Sequence, residues 1–364
     1  LKKWFCDEEF LEHRNEEKHK KNILGLARDF LPSSAYSEIA KNILDEPSLA
    51  RRLEKFLIEP TLSKNSSLSA SDFIDKDFPE ESLLNGILLN RNYNPSDIIE
   101  KFRNLKATND NQEYKSLVEQ YLLSAILWIY LSASWKKCPV YAGFDRFCML
   151  ARGNMRHFIE LCYQSISLAA INGIHISSEI VTPIPQNIQA EAALESSRLE
   201  IEKIDELGRH GEKLRFIANR LGLFFQLHQK RKSQSENEVN HFSIKVSDHS
   251  SIDKTTKTLL EEASIWSILI ESVGDTKRKN VNDFSTKEYM IHPMLSPHFG
   301  ISYRRKKKFE FTLEEIKTIF SGSEKEYVDL CRDHQKKWKL DLNESEHIES
   351  ANVLQQGLFD DFID

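Results

Sequence analysis

The chain reads as mainly α: a helical bundle followed by a smaller unit that mixes helices with a small antiparallel sheet. Three observations carry that reading. Residues 113–135 are apolar over most of a helical circumference, as a buried helix should be. Residues 141–162, YAGFDRFCMLARGNMRHFIELC, hold two helical patterns split at Gly153-Asn154. Strand-like patterning is confined to the part after residue 240: Phe242, Ile244 and Val246 alternate, and 289–291 and 299–303 follow, the last extending towards Phe311.

The elements follow in order. Residues 1–31 are charged and helical in pattern, with Phe5, Phe10, Ile23, Leu24 and Leu26 apolar, and Pro32-Ser33-Ser34 ends them. Two short helices are predicted at 36–44 and 48–58, and 60–71 is a Ser-rich loop. Residues 42–46 hold the acids of a Walker B box without the apolar strand that should precede them, so a helix end is the reading. Helices at 82–89 and 95–105 come next, with Pro95 suited to a first turn and Arg91 in the polar loop between them. Arg91 reads as a solvated arginine, with a partner-facing arginine as the alternative. A linker at 107–112 leads into the 113–135 helix, whose Trp128, Tyr130 and Trp135 are expected in a core or an interface.

In 141–162, Phe144, Phe147, Cys148 and Leu150 mark a first helix. Gly153 suits the turn, Asn154 is a good N-cap, and the second helix places Met155, Phe158, Ile159 and Cys162 on one face. Arg156 and His157 lie off that face. A cation in a first helical turn opposes the helix dipole, so Arg156 calls for an anionic partner. Prolines 183 and 185 force 174–185 to be extended. Helices at 190–207 and 213–229 follow, the second with Leu214, Ile217, Leu221, Phe224 and Phe225 inward. Residues 230–240 read as a polar, mobile loop. A helix at 251–272 carries Leu259, Leu260, Ala263, Trp266, Leu269 and Ile270 on one face. Thr312 and Glu315 form a capping box for a helix over 311–320, and a charged helix spans 325–340.

Composition narrows the function. The chain has 364 residues, enough for two or three domains, with 40% hydrophobic and 29% charged residues. A net charge of −6 argues against a general nucleic-acid coat but allows a local basic patch. Five scattered cysteines with no C-x-x-C pair suggest neither a disulfide framework nor a zinc ribbon, and a reducing cytoplasm is the expected compartment. The longest apolar run, near 122–133, is too short to span a membrane. His292 and His298 stand apart without a helically spaced carboxylate, so no metal set is read, and no constellation for covalent catalysis can be drawn.

Gly153, Asn154 and Arg156, followed by an apolar helix, resemble the sensor 2 turn in the helical lid of AAA+ ATPases, above all the initiator, origin-recognition-like branch and its relatives in bacterial defence. The resemblance covers roughly 112–313. It implies that Arg156 points from the lid onto nucleotide phosphates, with Asn154 and Gly153 shaping the turn, and that a winged-helix-like domain follows. The implied organisation is a helical region at 1–106 (the end of an upstream ATPase core, or an insertion in it), a lid-like domain at 107–180, a winged-helix-like domain at 181–313, and a charged helix with an acidic tail at 314–364. The implied cofactors are ATP and Mg, held by that upstream core. No G-x-x-x-x-G-K-[ST] occurs in the chain, so this chain alone is expected to bind neither and to hydrolyse nothing. An alternative reading makes Arg156 an ordinary capped-turn residue paired with a nearby carboxylate.

Two further features bear on partners. Arg304, Arg305, Lys306, Lys307 and Lys308 are consecutive, with Lys277, Arg278 and Lys279 upstream, and together they form the candidate DNA-binding surface. Residues 341–364 hold seven acids and no Lys or Arg, a composition expected to be disordered alone. Within them Gln355, Leu358 and Phe359 fit the Q-x-x-L-F pattern of peptides that dock on bacterial sliding clamps; alternatively Leu358, Phe359 and Phe362 dock on this protein or a partner. The expected partners are therefore DNA, a protein partner or a second copy, and a sliding clamp. The function expected is the lid and winged-helix part of an AAA+-type ATPase, coupling nucleotide state to DNA or partner binding, with antiphage defence as its setting. The alternative is a non-enzymatic helical interaction scaffold.

Overall fold

A computed structural model describes residues 16–62, 67–131, 133, 136–174, 181–244, 251–273 and 287–340. Among them are fourteen α-helices and a single four-stranded sheet. The first helices are α1 (Glu16–Phe30), α2 (Tyr36–Asp45), α3 (Pro47–Arg52, continued by one π-helical turn at Leu53–Ile58), α4 (Pro79–Leu89) and α5 (Pro95–Thr108). Helices α2 to α5 pack around α6 (Gln112–Leu131), which buries every residue from Tyr121 to Tyr130. Trp128 and Tyr130 lie in this core, while Trp135 falls outside the described residues. Helices α7 (Phe144–Ala151) and α8 (Met155–Ile171) complete the first unit.

Helix α9 (Gln186–Lys203) joins two hydrophobic cores. Its Ile188 and Ala193 belong to the first, and its Ile201 belongs to the second. The second core is built on α10 (Gly211–Gln229), whose Leu214, Ile217, Leu221, Phe224 and Phe225 are all buried as the periodicity requires. Around it lie β1 (Val239–Ile244), α11 (Lys254–Ile265), β2 (Leu269–Val273), β3 (Lys287–Ile291), α12 (Ser296–Phe299), β4 (Lys307–Phe311), α13 (Leu313–Ser321) and α14 (Glu324–Lys337).

The strand order is β2-β3-β1-β4. β2, β3 and β1 pair antiparallel, with Leu269 opposite Ile291 and His241 opposite Met290. β4 joins parallel to β1, with Phe242 opposite Phe309. The expected antiparallel sheet is thus extended by a parallel edge strand, because Phe309 and Phe311 alternate inward onto Phe224, at ring distances of 5.0 and 4.9 Å.

Several expectations are corrected. The helix predicted over 251–272 ends at Ile265, because Ser267 takes a left-handed φ of 58° and Ile268 N–H closes onto Ala263 O at 2.9 Å. Leu269 and Ile270 lie in β2, and Trp266 is exposed, since a short apolar run does not separate strand from helix. Residues 299–303 are not a strand. Gly300 turns at φ 65°, and the Asn240 side chain donates to Ser302 O and Arg304 O at 2.7 and 2.8 Å, taking carbonyls a sheet ladder would use. Residues 230–240 are anchored, with Gln234, Asn237 and Glu238 buried and Lys230 O accepting from Trp128 Nε1 at 2.9 Å. On α8 the buried face is His157, Leu161, Ser165 and Ala169, while Met155, Ile159 and Tyr163 face solvent. The capping boxes at Thr312/Glu315 and Ser323/Glu326 are both formed.

Arg220 ties the last two helices to the second core. It is 1% exposed, and its Nη1 donates to Thr318 O and Gly322 O at 2.8 and 2.9 Å. Its guanidinium lies over the Phe216 ring at 3.7 Å and the Tyr327 ring at 4.8 Å. Removing it strands buried carbonyls at the end of α13, so Arg220→Ala should cost about 3–5 kcal/mol in denaturant unfolding. Arg220→Lys should recover little of that, because lysine lacks the planar fork. A cost below about 1 kcal/mol would show that this anchor is dispensable.

Candidate functional site

The Gly153-Asn154-x-Arg156 turn is built by its own residue types. Arg152 ends α7 in the left-handed region at φ 47°, and Gly153 follows at φ 83° with open space at its missing Cβ, so conformation and not crowding favours glycine there. Asn154 caps α8, its side-chain oxygen accepting from Arg156 N–H at 3.0 Å and from His157 N–H at 3.5 Å. This sets Arg156 in the first turn of α8, where its side chain stays 60% exposed.

Its partner is Glu200, 7% exposed, in the last turn of α9; Arg156 Nη2 meets Glu200 Oε2 at 2.5 Å. Glu200 is shared. His157 Nε2 lies 3.1 Å from the same oxygen, and Lys203 Nζ reaches Oε1 at 3.0 Å. Arg156 Nη2 is also 3.2 Å from His157 Nε2. Both groups cannot donate to one another, so the imidazole proton on Nε2 goes to the carboxylate and the guanidinium bond that counts is the one to Glu200. Burial alone would raise the Glu200 carboxyl, but hydrogen bonds from His157 and Lys203, with the charges of His157 and Arg156, outweigh it and hold it at about 2. Behind His157, the His292 ring stands edge-on at 5.0 Å. Burial, with the charges of His157 and Arg152 beside it, pushes His292 down to about 3, so it is neutral and its Nδ1 accepts from Met294 N–H at 3.1 Å. Met294 belongs to the first core and Leu295 to the second, so the cluster sits on the seam between them.

The basic run is laid out differently. Arg304 and Lys306 both pair with Glu238, which is fully buried, at 2.5 and 3.1 Å. Lys308 pairs with Glu288 at 2.9 Å, and Arg305 pairs with the same carboxylate. Two carboxylates therefore engage four of the five cations, and Lys307 is exposed at the start of β4. Lys277, Arg278 and Lys279, and the tail residues Gln355, Leu358, Phe359 and Phe362, lie outside the described residues. Arg91 lies over the Tyr121 ring at 4.8 Å.

Sequence reading did not single out Glu200 or Lys203, and it considered His292 only to set it aside as a metal ligand. Glu200 lies in a helix with glutamates at 191, 195, 200 and 202, and only the approach of α8 distinguishes it. The usable signal was the misplaced charge of Arg156, which demanded an anion. Nor was Glu238 separable from the polar stretch around it.

As a nucleotide site the arrangement is incomplete. The chain has no P-loop, and among the described residues no glycine-rich turn opens a helix facing Arg156. Arg156 itself is a mostly exposed guanidinium at a helix start. No helix among the described residues is long and apolar enough to cross a membrane.

The chain thus joins a helical bundle to a small mixed-sheet unit with a Gly-Asn-x-Arg turn at their seam, and its family match makes it an AAA+ ATPase-related protein. It belongs to the ORC-CDC6-like family, whose model matches residues 5–311. No curated protein and no solved structure matches it.

The Glu200 carboxyl lies below the usual value of 4.5, so its contribution to stability is complete above that pH and is lost as pH falls towards about 2. The stability gap between wild type and Glu200→Gln should hold steady from neutral pH to about pH 5 and close below it. At neutral pH that gap should be about 1–3 kcal/mol by urea unfolding. Arg156→Ala should cost less than about 1 kcal/mol, because the guanidinium is mostly in water. A pH-independent gap would show that Glu200 is not held ionised by its neighbours.

Proposed function

We infer that this chain is the lid and winged-helix-like part of an AAA+-type ATPase, and that it couples nucleotide state to the binding of DNA or a protein partner. The observation that carries this is the unequal burial of the Arg156–Glu200 pair. Glu200 keeps His157 and Lys203 when Arg156 leaves, so the buried carboxylate is not left bare. The exposed end of the pair is worth less than about 1 kcal/mol, while a phosphate bonded to a guanidinium is worth about 1.5–3 kcal/mol. An incoming phosphate therefore wins Arg156 from Glu200. Its loss loosens α8 against α9 where the two cores meet, and the sheet-bearing unit is released to rearrange.

The surface beside Arg156 supports the same reading. Met155, Ile159 and Tyr163 form an exposed apolar stripe one helical turn apart, with Met149 of α7 exposed nearby. An ATPase core that brings a phosphate to Arg156 would cover it. The setting, by resemblance, is prokaryotic antiphage defence. A second reading, an interaction scaffold without nucleotide, is favoured by the stripe alone, since it needs a protein partner and no phosphate.

The test is ATP binding and hydrolysis by the full-length gene product, with Arg156→Ala and Ile159→Glu beside it. Arg156→Ala should lose at least tenfold in turnover or nucleotide affinity while unfolding like wild type. Ile159→Glu should weaken the response through the covered surface. If the wild type binds no nucleotide and Ile159→Glu still loses a protein partner, the scaffold reading replaces this one.

A further inference from the structure

We propose that a cleft of about 510 Å³ between the loop after α4, the loop after α10 and the end of α14 binds the phosphodiester backbone of a nucleic acid. Three distant segments bring Arg91, Arg231, Lys232 and Lys339 to one opening, and no Asp or Glu is among the lining residues. Lys337, exposed on the last turn of α14, adds a cation beyond the rim, beside Lys336, which pairs with Asp333 at 4.0 Å. The run at 304–308 is richer in sequence but is turned onto Glu238 and Glu288.

The cleft is built in advance. Arg91 is laid on the Tyr121 ring, and Asn90 fixes its loop by donating to Leu57 O and Gly86 O at 2.7 and 2.8 Å. Arg231 lies over the Trp338 ring at 5.3 Å and is bonded to Ser235 and to Glu236, itself 56% exposed. Stacked arginines lose little rotamer freedom on binding, and their planar forks match phosphate oxygens. A spread of cations along an opening and its rim suits a row of phosphates better than one compact anion. This deepens the DNA arm of the proposed function by giving the strand a place, and it does not depend on Arg156.

The experiment is fluorescence anisotropy of the full chain with a labelled oligodeoxythymidine of about 20 nucleotides and a duplex of equal length, over a salt series. Wild type should bind at low salt. Arg91→Gln with Lys339→Gln should weaken binding at least tenfold and flatten the log–log salt slope by about 1.4 for the single strand or about 1.8 for the duplex, two contacts being lost. Lys339→Glu alone, on an exposed side chain that bears on no core, should weaken binding in the same direction. Lys307→Gln should bind as wild type does. Equal binding by the cleft variants overturns the proposal, as does loss confined to Lys307→Gln. Displacement by polyglutamate at equal charge makes this an acidic-peptide site, and displacement by ATP at equal phosphate makes it a small-nucleotide site; either overturns it. Absence of binding by the wild type also overturns it and leaves the Arg156 measurement standing.

Discussion

Two charges in this protein sit at the wrong ends of their own helices, and each is made tolerable by the other. Arg156 stands in the first turn of α8, where the dipole disfavours a cation, and Glu200 in the last turn of α9, where it disfavours an anion. Packing α8 against α9 brings the two ends together, so the dipole cost of each helix becomes part of the attraction between them. The pair then marks the seam between the cores, with Ile201 one residue beyond Glu200 already in the second core.

Around that seam, hydrogen bonds from side chains to backbone carbonyls add to the packing of α9 in tying the two units. Gln229 donates to Ser124 O at 3.0 Å, Tyr141 to Ile301 O at 2.7 Å, and Trp128 to Lys230 O at 2.9 Å. Such bonds hold geometry at about 1 kcal/mol each and are directional, so they resist sliding more than they resist separation. The Arg156 contact differs in being mostly exposed and reversible. One weak, replaceable contact thus stands beside several fixed ones at this seam.

Charge placement follows the same logic elsewhere. A buried carboxylate demands cations, and Glu238 and Glu288 take four from the densest basic run in the chain. Elsewhere, segments far apart in sequence bring Arg91, Arg231 and Lys339 to one opening, with Glu236 paired to Arg231.

Local chemistry in the sequence was enough to determine most helices, their caps and the inward faces of α6 and α10. Those depend on spacing, N-cap side chains and apolar periodicity, all of which act within a few residues. The Gly153-Asn154-x-Arg156 turn was legible for the same reason, and so was its need for an anion. Tertiary structure alone decided which anion that was. It also decided that Met155 and Ile159 face solvent while His157 is buried, that Leu269 and Ile270 make a strand, and that 230–240 is anchored. Each of these turns on a contact well outside the local window, such as Glu200 with His157, β3 with β2 or Asn237 with Gln120 O, and no local pattern encodes the arrival of a distant partner.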